Sequence, residues 1–194
     1  MSQREAGKQK RRDAILAAAE DLLREHGGVD FSMRALAKRA DVAFVTPFNL
    51  FGSKGGVIAA LFEQKLDAQH GRLLPDMAEG SDPIERVFDL AIVGCRAYTA
   101  DPELHRPLIR ALSAIAAPDQ SQLLAQATDL WRLSLRDAHA AGLIEPGRNL
   151  DMLASALHVA FRGALSLWTL GEIDAEQLER HLEGERAARA PRVA

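Results

Sequence analysis

The residue types best suited to specific binding lie in one short stretch, residues 42 to 54, which carries no charge before Lys54. No residue from 42 to 53 carries a charge, and the stretch contains the amide of Asn49 and the apolar side chains of Phe44 and Val45. An asparagine amide can form two hydrogen bonds to adenine in the major groove of DNA, and apolar side chains can contact the thymine methyl group. The stretch therefore predicts contacts to duplex DNA with a preference for A·T base pairs.

A helix upstream of this stretch is indicated by apolar residues that recur on one face between Asp13 and Glu25. These residues are Ile15, Leu16, Ala19, Leu22 and Leu23. Gly27 and Gly28 end this helix in the manner of a C-terminal cap.

A second helix is predicted to begin at Ser32, whose hydroxyl can accept a hydrogen bond from a backbone N–H of the first turn. Phe31 before it and Leu36 within it have the spacing of a hydrophobic staple. Asp41 and Val42 form the turn that follows, since Asp adopts the left-handed conformation at modest cost. The next helix then has the position of the second helix of a helix-turn-helix, which lies in the major groove of DNA.

Pro47 constrains where this third helix begins, because proline lacks a backbone donor and fits a helix best in its first turn. Either Thr46 or Ala43 caps the helix and Pro47 lies in the first turn, or the helix is shortened. We favour the first arrangement. Three helices are therefore predicted within roughly the first fifty residues.

The combined spacing of these residues resembles the N-terminal DNA-binding domain of the TetR family of transcriptional repressors. The resemblance extends over about residues 11 to 58 and is carried by Phe31-Ser32-Met33-Arg34-Ala35-Leu36-Ala37, Ala40, Val42, Thr46, Phe48, Phe51 and Ser53-Lys54. It implies an all-α chain of about nine helices. Residues 1–54 would form the helix-turn-helix domain, and residues 55–194 a helical domain for effector binding and dimerisation.

The resemblance also implies which side chains contact DNA. Thr46, Phe48 and Lys54 fall where the family contacts phosphates, and Phe44, Val45 and Asn49 fall where it faces base edges. The full set of expected DNA-binding residues is Arg11, Arg12, Ser32, Arg34, Phe44, Val45, Thr46, Phe48, Asn49 and Lys54. Phe48 stands where the family usually has Tyr, so one phosphate hydrogen bond is expected to be lost.

The positive charge lies mainly in the N-terminal part of the chain. Residues 1 to 56 contain ten Lys or Arg and seven Asp or Glu, whereas the whole chain has a net charge of −3. Lys8, Lys10, Arg11 and Arg12 form a basic arm before the first predicted helix. Such an arm can neutralise phosphates or enter a minor groove, or it can be a solvated tail without contacts.

Composition limits the other functions that the chain can have. Its 194 residues with 47% hydrophobic content predict a soluble globular protein with a sizeable core. One cysteine cannot form an internal disulfide, and we found neither a secretory leader nor an apolar run long enough to cross a membrane, so we expect a cytoplasmic protein. The sequence shows no catalytic motif, metal-ligand spacing or cofactor-binding loop, and we expect neither an enzyme nor a metal site nor a cofactor.

Six further helices are predicted after the DNA-binding region. They are residues 53–72, ending before Pro75, a helix opened by Pro83, a helix opened by Pro102, and residues 119–141, 150–170 and 174–189. Gly55 and Gly56 lie in the first turn of the first of these helices. They predict either a flexible joint or simply a weak helix start.

Side chains that could line an effector cavity occur on the fifth to eighth helices. They are Phe88, Ile92, Cys95, Tyr98, Arg110, Trp131 and Phe161. For each apolar residue in this set, core packing is the alternative, and Arg110 would bind a ligand carboxylate or else be exposed or ion-paired. Since the set is mostly apolar, a hydrophobic or amphipathic small-molecule effector is favoured.

The helix at 150–170 is apolar on two sides and must bury both. By the resemblance, the last two helices form the four-helix bundle of a homodimer, with Ala156, Ala160, Gly163 and Leu167 at the interface. The predicted function is a homodimeric repressor that an effector releases from a palindromic operator. A regulator without a ligand remains open, as does a small helical carrier or enzyme whose helix-turn-helix similarity is accidental.

Overall fold

The computed structural model describes residues 2–76, 82–114 and 117–189, which form nine α-helices and no strand. The helices are α1 Gln3–His26, α2 Met33–Arg39, α3 Val45–Phe51, α4 Lys54–Asp76, α5 Pro83–Thr99, α6 Pro102–Ser113, α7 Ala117–Ala140, α8 Leu150–Leu170 and α9 Ala175–Arg189. The predicted all-α fold is confirmed.

Helix α1 begins ten residues earlier than the apolar spacing predicts, at Gln3 instead of Asp13. Ser2 and Glu5 form a reciprocal capping box, in which each side chain accepts from the other residue's backbone N–H. The residues between them and Asp13 are mostly good helix formers such as Lys, Arg and Gln. The expected basic arm is therefore wrong as a separate segment, because its four cationic residues lie within α1.

Helix α2 follows the predicted pattern closely. The hydroxyl of Ser32 accepts from the N–H of Ala35 at 3.1 Å, and Phe31 and Leu36 are both buried. Asp41 has a φ of 51°, the left-handed conformation expected of it.

Helix α3 contains only seven residues, with Pro47 buried in its first turn as favoured. The expected capping residues are wrong, since the cap position is Phe44 and it makes no side-chain hydrogen bond. Proline fits there because backbone donors of the first turn have no partner within a helix.

Helix α4 continues through Pro75 to Asp76, whereas we predicted that it ends before Pro75. Pro75 lies in the last described turn of α4, where its missing N–H removes one backbone hydrogen bond. The hydroxyl of Ser53 caps the other end of α4 and accepts from the N–H of Gly56 at 2.9 Å.

The helices form two compact units, Met1–Asp67 with Asp101–Leu123 and Ala68–Ala100 with Leu124–Ala194. In the first unit α1 packs on α2, α3 and α6, and in the second unit α9 packs on α5 and α8. The predicted boundary after residue 54 divides the chain by function, into DNA binding and effector binding, and it stays a prediction. By packing alone, the first unit also includes the start of α4 and all of α6.

Each unit has its own apolar core. The core of the first includes Ile15, Leu23, Leu36, Ile58, Leu61, Leu104 and Leu108. The core of the second includes Val87, Leu90, Trp131, Leu135 and Ala154. Burying such side chains contributes about 1.5 to 3 kcal/mol each before chain entropy is counted.

Helix α8 is long and apolar, with 21 residues and a mean hydropathy of 1.2 over its most apolar window. By length and composition alone it could cross a membrane, which departs from our expectation for this chain. The same composition is typical of a helix that is covered by protein on two faces.

Candidate nucleic-acid interface and ligand cavity

Four neighbouring side chains around the start of α3 are exposed, and we call them the α3 surface: Phe44, Val45, Phe48 and Asn49. The first three are 48%, 57% and 40% exposed, an unusual degree for large apolar side chains. Asn49 is also exposed. The α3 surface therefore presents apolar groups and one amide to solvent, and no charge.

Aromatic contacts organise the α3 surface. The rings of Phe44 and Phe48 pack edge to face with centroids 5.4 Å apart, and the guanidinium of Arg34 lies 5.6 Å from the centroid of Phe44. The guanidinium of Arg12 lies 4.8 Å from the ring of Phe51 at the other end of α3. Two arginines expected to contact DNA are thus held beside α3 by aromatic rings.

Lys54 makes contacts that differ from those of an exposed cation. Its ammonium donates to the carbonyl of Phe31 at 3.0 Å and to the carbonyl of Val29, and it lies 5.2 Å from the ring centroid of Phe31. A cation at a helix N-terminus opposes the helix dipole, and these carbonyl oxygens offset that repulsion. Lys54 thereby ties the start of α4 to the segment between α1 and α2.

Gly56 allows the end of α3 to lie against the start of α4. A Cβ atom at Gly56 would lie 2.0 Å from the carbonyl oxygen of Phe51, which is far closer than atoms can approach. A steric requirement therefore explains this glycine directly, whereas the sequence left a flexible joint and a weak helix start as alternatives.

The second unit contains a cavity of about 660 Å³ between α5, α7, α8, α9 and the segment that joins α7 to α8. Its lining is mostly apolar. It comprises Ile84, Val87, Phe88, Ala91, Trp131, Leu135, Leu143, Ile144, Glu145, Arg148, Leu153, Leu157, Ala160, Phe161, Ala164, His181 and Leu182. A volume of this size is typical of small-molecule sites.

The exposed side of α8 forms a continuous stripe that we call the α8 face. It consists of Met152, Ala156, Val159, Gly163, Leu167 and Leu170, which recur at helical spacing and are all exposed. Met152, Val159 and Leu170 are among the most exposed large apolar residues of the described chain.

Residues 15–61 match the family model of bacterial regulatory proteins of the tetR family. The chain carries the TetR-family N-terminal domain. No curated protein matches the sequence. The matched residues span α1 to the first part of α4, so both the α3 surface and Lys54 lie within the family domain.

Solved structures extend the TetR-family similarity over nearly the whole chain. FadR from Thermus thermophilus, a TetR-family repressor in complex with lauroyl-CoA, is 22% identical with a TM-score of 0.75, covering 94% of this chain and 97% of that chain. NalD from Pseudomonas aeruginosa is 20% identical with a TM-score of 0.65, covering 97% and 100%. FadR from Bacillus subtilis is 18% identical with a TM-score of 0.69, covering 87% and 94%. The chain has the fold of TetR-family transcriptional regulators.

Three further residues expected to contact DNA, Arg11, Thr46 and Ser32, differ in exposure and in their contacts. Arg11 is exposed on α1, and Thr46 is half-buried with its N–H donating to the carbonyl of Ala43 at 2.8 Å. Ser32 uses its hydroxyl to cap α2. The contacts of all these residues with DNA stay predictions.

Ion pairs fix the helices that support α3. Arg24 on α1 forms a two-pronged pair with Asp101 at 2.8 and 2.6 Å, and its hydrogen bonds lower the pKa of that carboxyl. Arg39 on α2 pairs with Glu25 on α1 through two hydrogen bonds of 2.7 Å, which lower the pKa of Glu25. Such fork-to-fork pairs fix orientation as well as distance.

The structure brings three of the seven expected ligand-binding residues into the cavity, namely Phe88, Trp131 and Phe161. Ile92, Cys95 and Tyr98 are buried but are not among its lining residues, and Arg110 belongs to the first unit.

Burial raises the pKa of the Cys95 thiol to about 11 and also raises the pKa of Tyr98. A thiol with so high a pKa is a poor nucleophile at neutral pH.

The sequence analysis did not identify two sets of residues. One is the polar part of the cavity lining, Glu145, Arg148 and His181, which has no periodic signal in the sequence because two of these residues lie outside helices. The other comprises Met152, Val159 and Leu170, whose spacing from Ala156 and Gly163 could have shown that they share one face. Ala160, expected at the dimer interface, is a lining residue of the cavity, and its place in an interface stays a prediction. Among the described residues no three His, Cys, Asp or Glu side chains are grouped to hold a metal ion.

Proposed function

We propose that the protein is a cytoplasmic, homodimeric transcriptional repressor that binds a palindromic operator in double-stranded DNA and is released by a small hydrophobic or amphipathic effector. The α3 surface is the observation that carries this proposal. It exposes three large apolar side chains and an amide on the second helix of a TetR-family helix-turn-helix.

The chemistry of the α3 surface supports contacts to base edges. Asn49 is suited to adenine, and Phe44 and Val45 are suited to thymine methyl groups. Arg34, held beside Phe44, supplies positive charge for the flanking phosphates. The preferred operator is therefore rich in A·T pairs at the positions that α3 contacts.

The α8 face supports the homodimer. An exposed apolar stripe on a long helix is typical of a surface that another protein covers, and its Ala and Gly residues permit close approach of a second helix. A dimer with a two-fold axis matches a palindromic operator, on which its two α3 helices must lie about 34 to 36 Å apart, one turn of DNA.

The cavity supports control by an effector. Two of the solved relatives are FadR proteins in complex with lauroyl-CoA or stearoyl-CoA, and NalD is a repressor of a multidrug efflux pump. A ligand in the cavity of this chain would release the operator only through a higher affinity for the conformer that binds DNA poorly. The chemistry is binding alone, without a catalytic step or a cofactor.

The test begins with selection of the operator from random duplexes, followed by fluorescence anisotropy at several salt concentrations. We expect a palindromic site and an affinity that falls steeply with salt. Asn49→Ala should lower the affinity for the selected site by about tenfold or more, with relaxed preference at one base position. Replacing thymine by uracil at the contacted positions removes only the methyl group and should also weaken binding.

Three results would overturn parts of this proposal. Absence of DNA binding even at low salt would favour a helical ligand carrier or an enzyme. If Asn49→Ala changes neither affinity nor preference, Asn49 does not contact bases. Specific DNA binding that no cavity ligand alters would indicate a regulator without an effector.

A further inference from the structure

We infer that the effector of this chain is an alkyl carboxylate, whose carboxylate binds Arg148 and whose alkyl chain extends along α8 to Phe161. The inference rests on the proposed control by a ligand and adds its chemical class and orientation.

Charge is distributed unevenly around the cavity. Of its lining residues, Arg148 is the one with a permanent positive charge, and it lies in the segment between α7 and α8. His181 also lines the cavity, with its Nδ1 engaged at 2.7 Å by the carbonyl of Gln177. The guanidinium of Arg148 is therefore the group best able to select a carboxylate, which it can bind through two hydrogen bonds.

The present partner of Arg148 is easily replaced. Its Nη2 lies 2.9 Å from Glu145, three residues earlier in the same segment, and both side chains are more than 60% exposed. An exposed pair of this kind contributes little to stability, so a ligand carboxylate can displace Glu145 without a large penalty.

Helix α8 gives the cavity a direction. The lining residues Leu153, Leu157, Phe161 and Ala164 follow one side of this helix, and Arg148 lies two residues before it begins. From the start of α8 to Phe161 the rise is about 16 Å. The charged side chain and Phe161 thus lie at well separated positions along an apolar wall, as an amphiphile requires.

Phe161 belongs to an aromatic wall of the cavity. Its ring packs on Trp131 and Tyr98, with centroid distances of 5.8 and 6.4 Å. A Cβ atom at Gly94 would lie 3.2 Å from the tip of the Phe161 ring, so Gly94 leaves space behind that ring for its present position. The length of alkyl chain that fits is set by this aromatic wall.

The first test compares dodecanoate with dodecanol by calorimetry on the full chain without DNA, below micellar concentrations. We expect dodecanoate to bind more tightly and Arg148→Gln to weaken it about tenfold while leaving dodecanol unchanged. Arg136→Gln, at an exposed arginine of α7 outside the lining, is the matched control and should change neither ligand. Equal binding of both probes, or an Arg148→Gln variant that binds dodecanoate normally, overturns the inference.

The second test establishes orientation through tryptophan fluorescence. Bromine quenches tryptophan on contact, so 12-bromododecanoate should quench Trp131 strongly and 2-bromododecanoate weakly. In Trp131→Phe, which retains the buried Trp168, the difference between the two probes should disappear. Stronger quenching by the 2-bromo acid would reverse the proposed orientation and overturn it.

The third test concerns chain length. Gly94→Ala would crowd the tip of the Phe161 ring and should weaken binding of longer acids relative to shorter ones, whereas Phe161→Leu should admit longer chains. Preferences that do not shift in either variant contradict the role of the aromatic wall.

These results are separable from the proposed function. Operator binding that lauroyl-CoA abolishes, with no binding of dodecanoate, would leave the ligand-controlled repressor intact and overturn the carboxylate. Binding of dodecanoate at Arg148 without any operator would support the ligand class and overturn the repressor.

Discussion

The α3 surface and the α8 face are both exposed and apolar, but they are built in different ways. Helix α3 has seven residues and no side-chain cap, whereas α8 has 21 residues, with Asn149 capping one end and Gly171 in the left-handed conformation at the other. Arginines lie beside the aromatic rings of α3, whereas the α8 face intersperses Met, Val and Leu with Ala and Gly.

This difference shows how two apolar surfaces can suit different partners. A helix as short as α3 is not stable by itself, so its position depends on the residues that hold its ends. Helix α8 is long enough to present a straight stripe to a second copy. We therefore expect changes at α8 to alter assembly, and changes around α3 to alter DNA binding through the geometry of its neighbours.

The largest effect is expected from Val159→Glu, in the middle of the α8 face. A buried, unpaired carboxylate at a dimer interface is strongly unfavourable, so the chain should become monomeric. Operator affinity should then fall by about a hundredfold or more, because the two half-sites are no longer bound together. Sedimentation and anisotropy measure both quantities.

Leu133→Glu is the matched control, because Leu133 is an exposed leucine of α7 outside the α8 face. It should leave a dimer with normal operator affinity. A Val159→Glu protein that stays dimeric would show that another surface forms the assembly.

Gly56→Ala tests how strictly the end of α3 is held. The added methyl group would overlap the carbonyl oxygen of Phe51, and we expect a loss of about 2 to 3 kcal/mol in unfolding free energy with weakened operator binding. The control is Gly7→Ala, where the nearest atom is the end of the Arg11 side chain at 3.6 Å and α1 should be slightly stabilised. Thermal unfolding measures the stability of both variants. A Gly56→Ala variant as stable as its parent would contradict the steric role of Gly56.

Lys54→Met separates support of α3 from contact with phosphate. Losing the hydrogen bonds to Val29 and Phe31 should lower stability by about 1 to 2 kcal/mol, whereas Lys38→Met, at an exposed lysine of α2, should have little effect. The salt dependence of operator binding tests the other role, because loss of one phosphate contact lowers its slope by about one. A Lys54→Met variant as stable as its parent would exclude the supporting role.

The smallest effect is expected at the α1 to α6 ion pair, which lies farther from α3 along the chain. Since Arg24 lowers the pKa of Asp101 in the folded state, the pair stabilises the fold above the usual pKa of an aspartate and loses this contribution as pH falls through the lowered value. Below about pH 4 the parent should lose more stability than Asp101→Asn. The difference should be under about 1 kcal/mol, because both side chains are partly exposed. Urea unfolding at several pH values measures this difference in stability. Identical pH profiles of the parent and Asp101→Asn would contradict a stabilising role of the pair.

Local signals predicted much of the fold. Ser32, Asp41 and Pro47 each have the conformation that their side-chain chemistry favours, and α8 has the bounds that its apolar residues indicate. The start of α1 was missed because its first turns face solvent and have no apolar period. There a capping box and helix-forming polar residues extend the helix.

The candidate sites were only partly predictable. Asn49, Phe44 and Val45 were expected at base edges from the TetR-family resemblance and their side-chain chemistry. The structure shows them exposed, and their contacts with DNA stay predictions. The cavity lining was predicted only in part. Arg148 and Glu145 come from a connecting segment, and Ile92 and Cys95 are buried outside the lining although they share a helix with Phe88. Periodicity identifies the buried side of a helix, but not which buried residues face an empty volume.

The sequence by itself determined the number and type of helices, the helix-turn-helix and its resemblance to TetR-family repressors, because caps, turns and apolar periods act within a few residues. Only the tertiary structure decided that the ammonium of Lys54 binds the carbonyls of Val29 and Phe31, that Gly56 has no room for a side chain, and that a cavity opens beside Arg148. These features depend on distances between segments far apart in the chain, and such distances are set only when the helices pack.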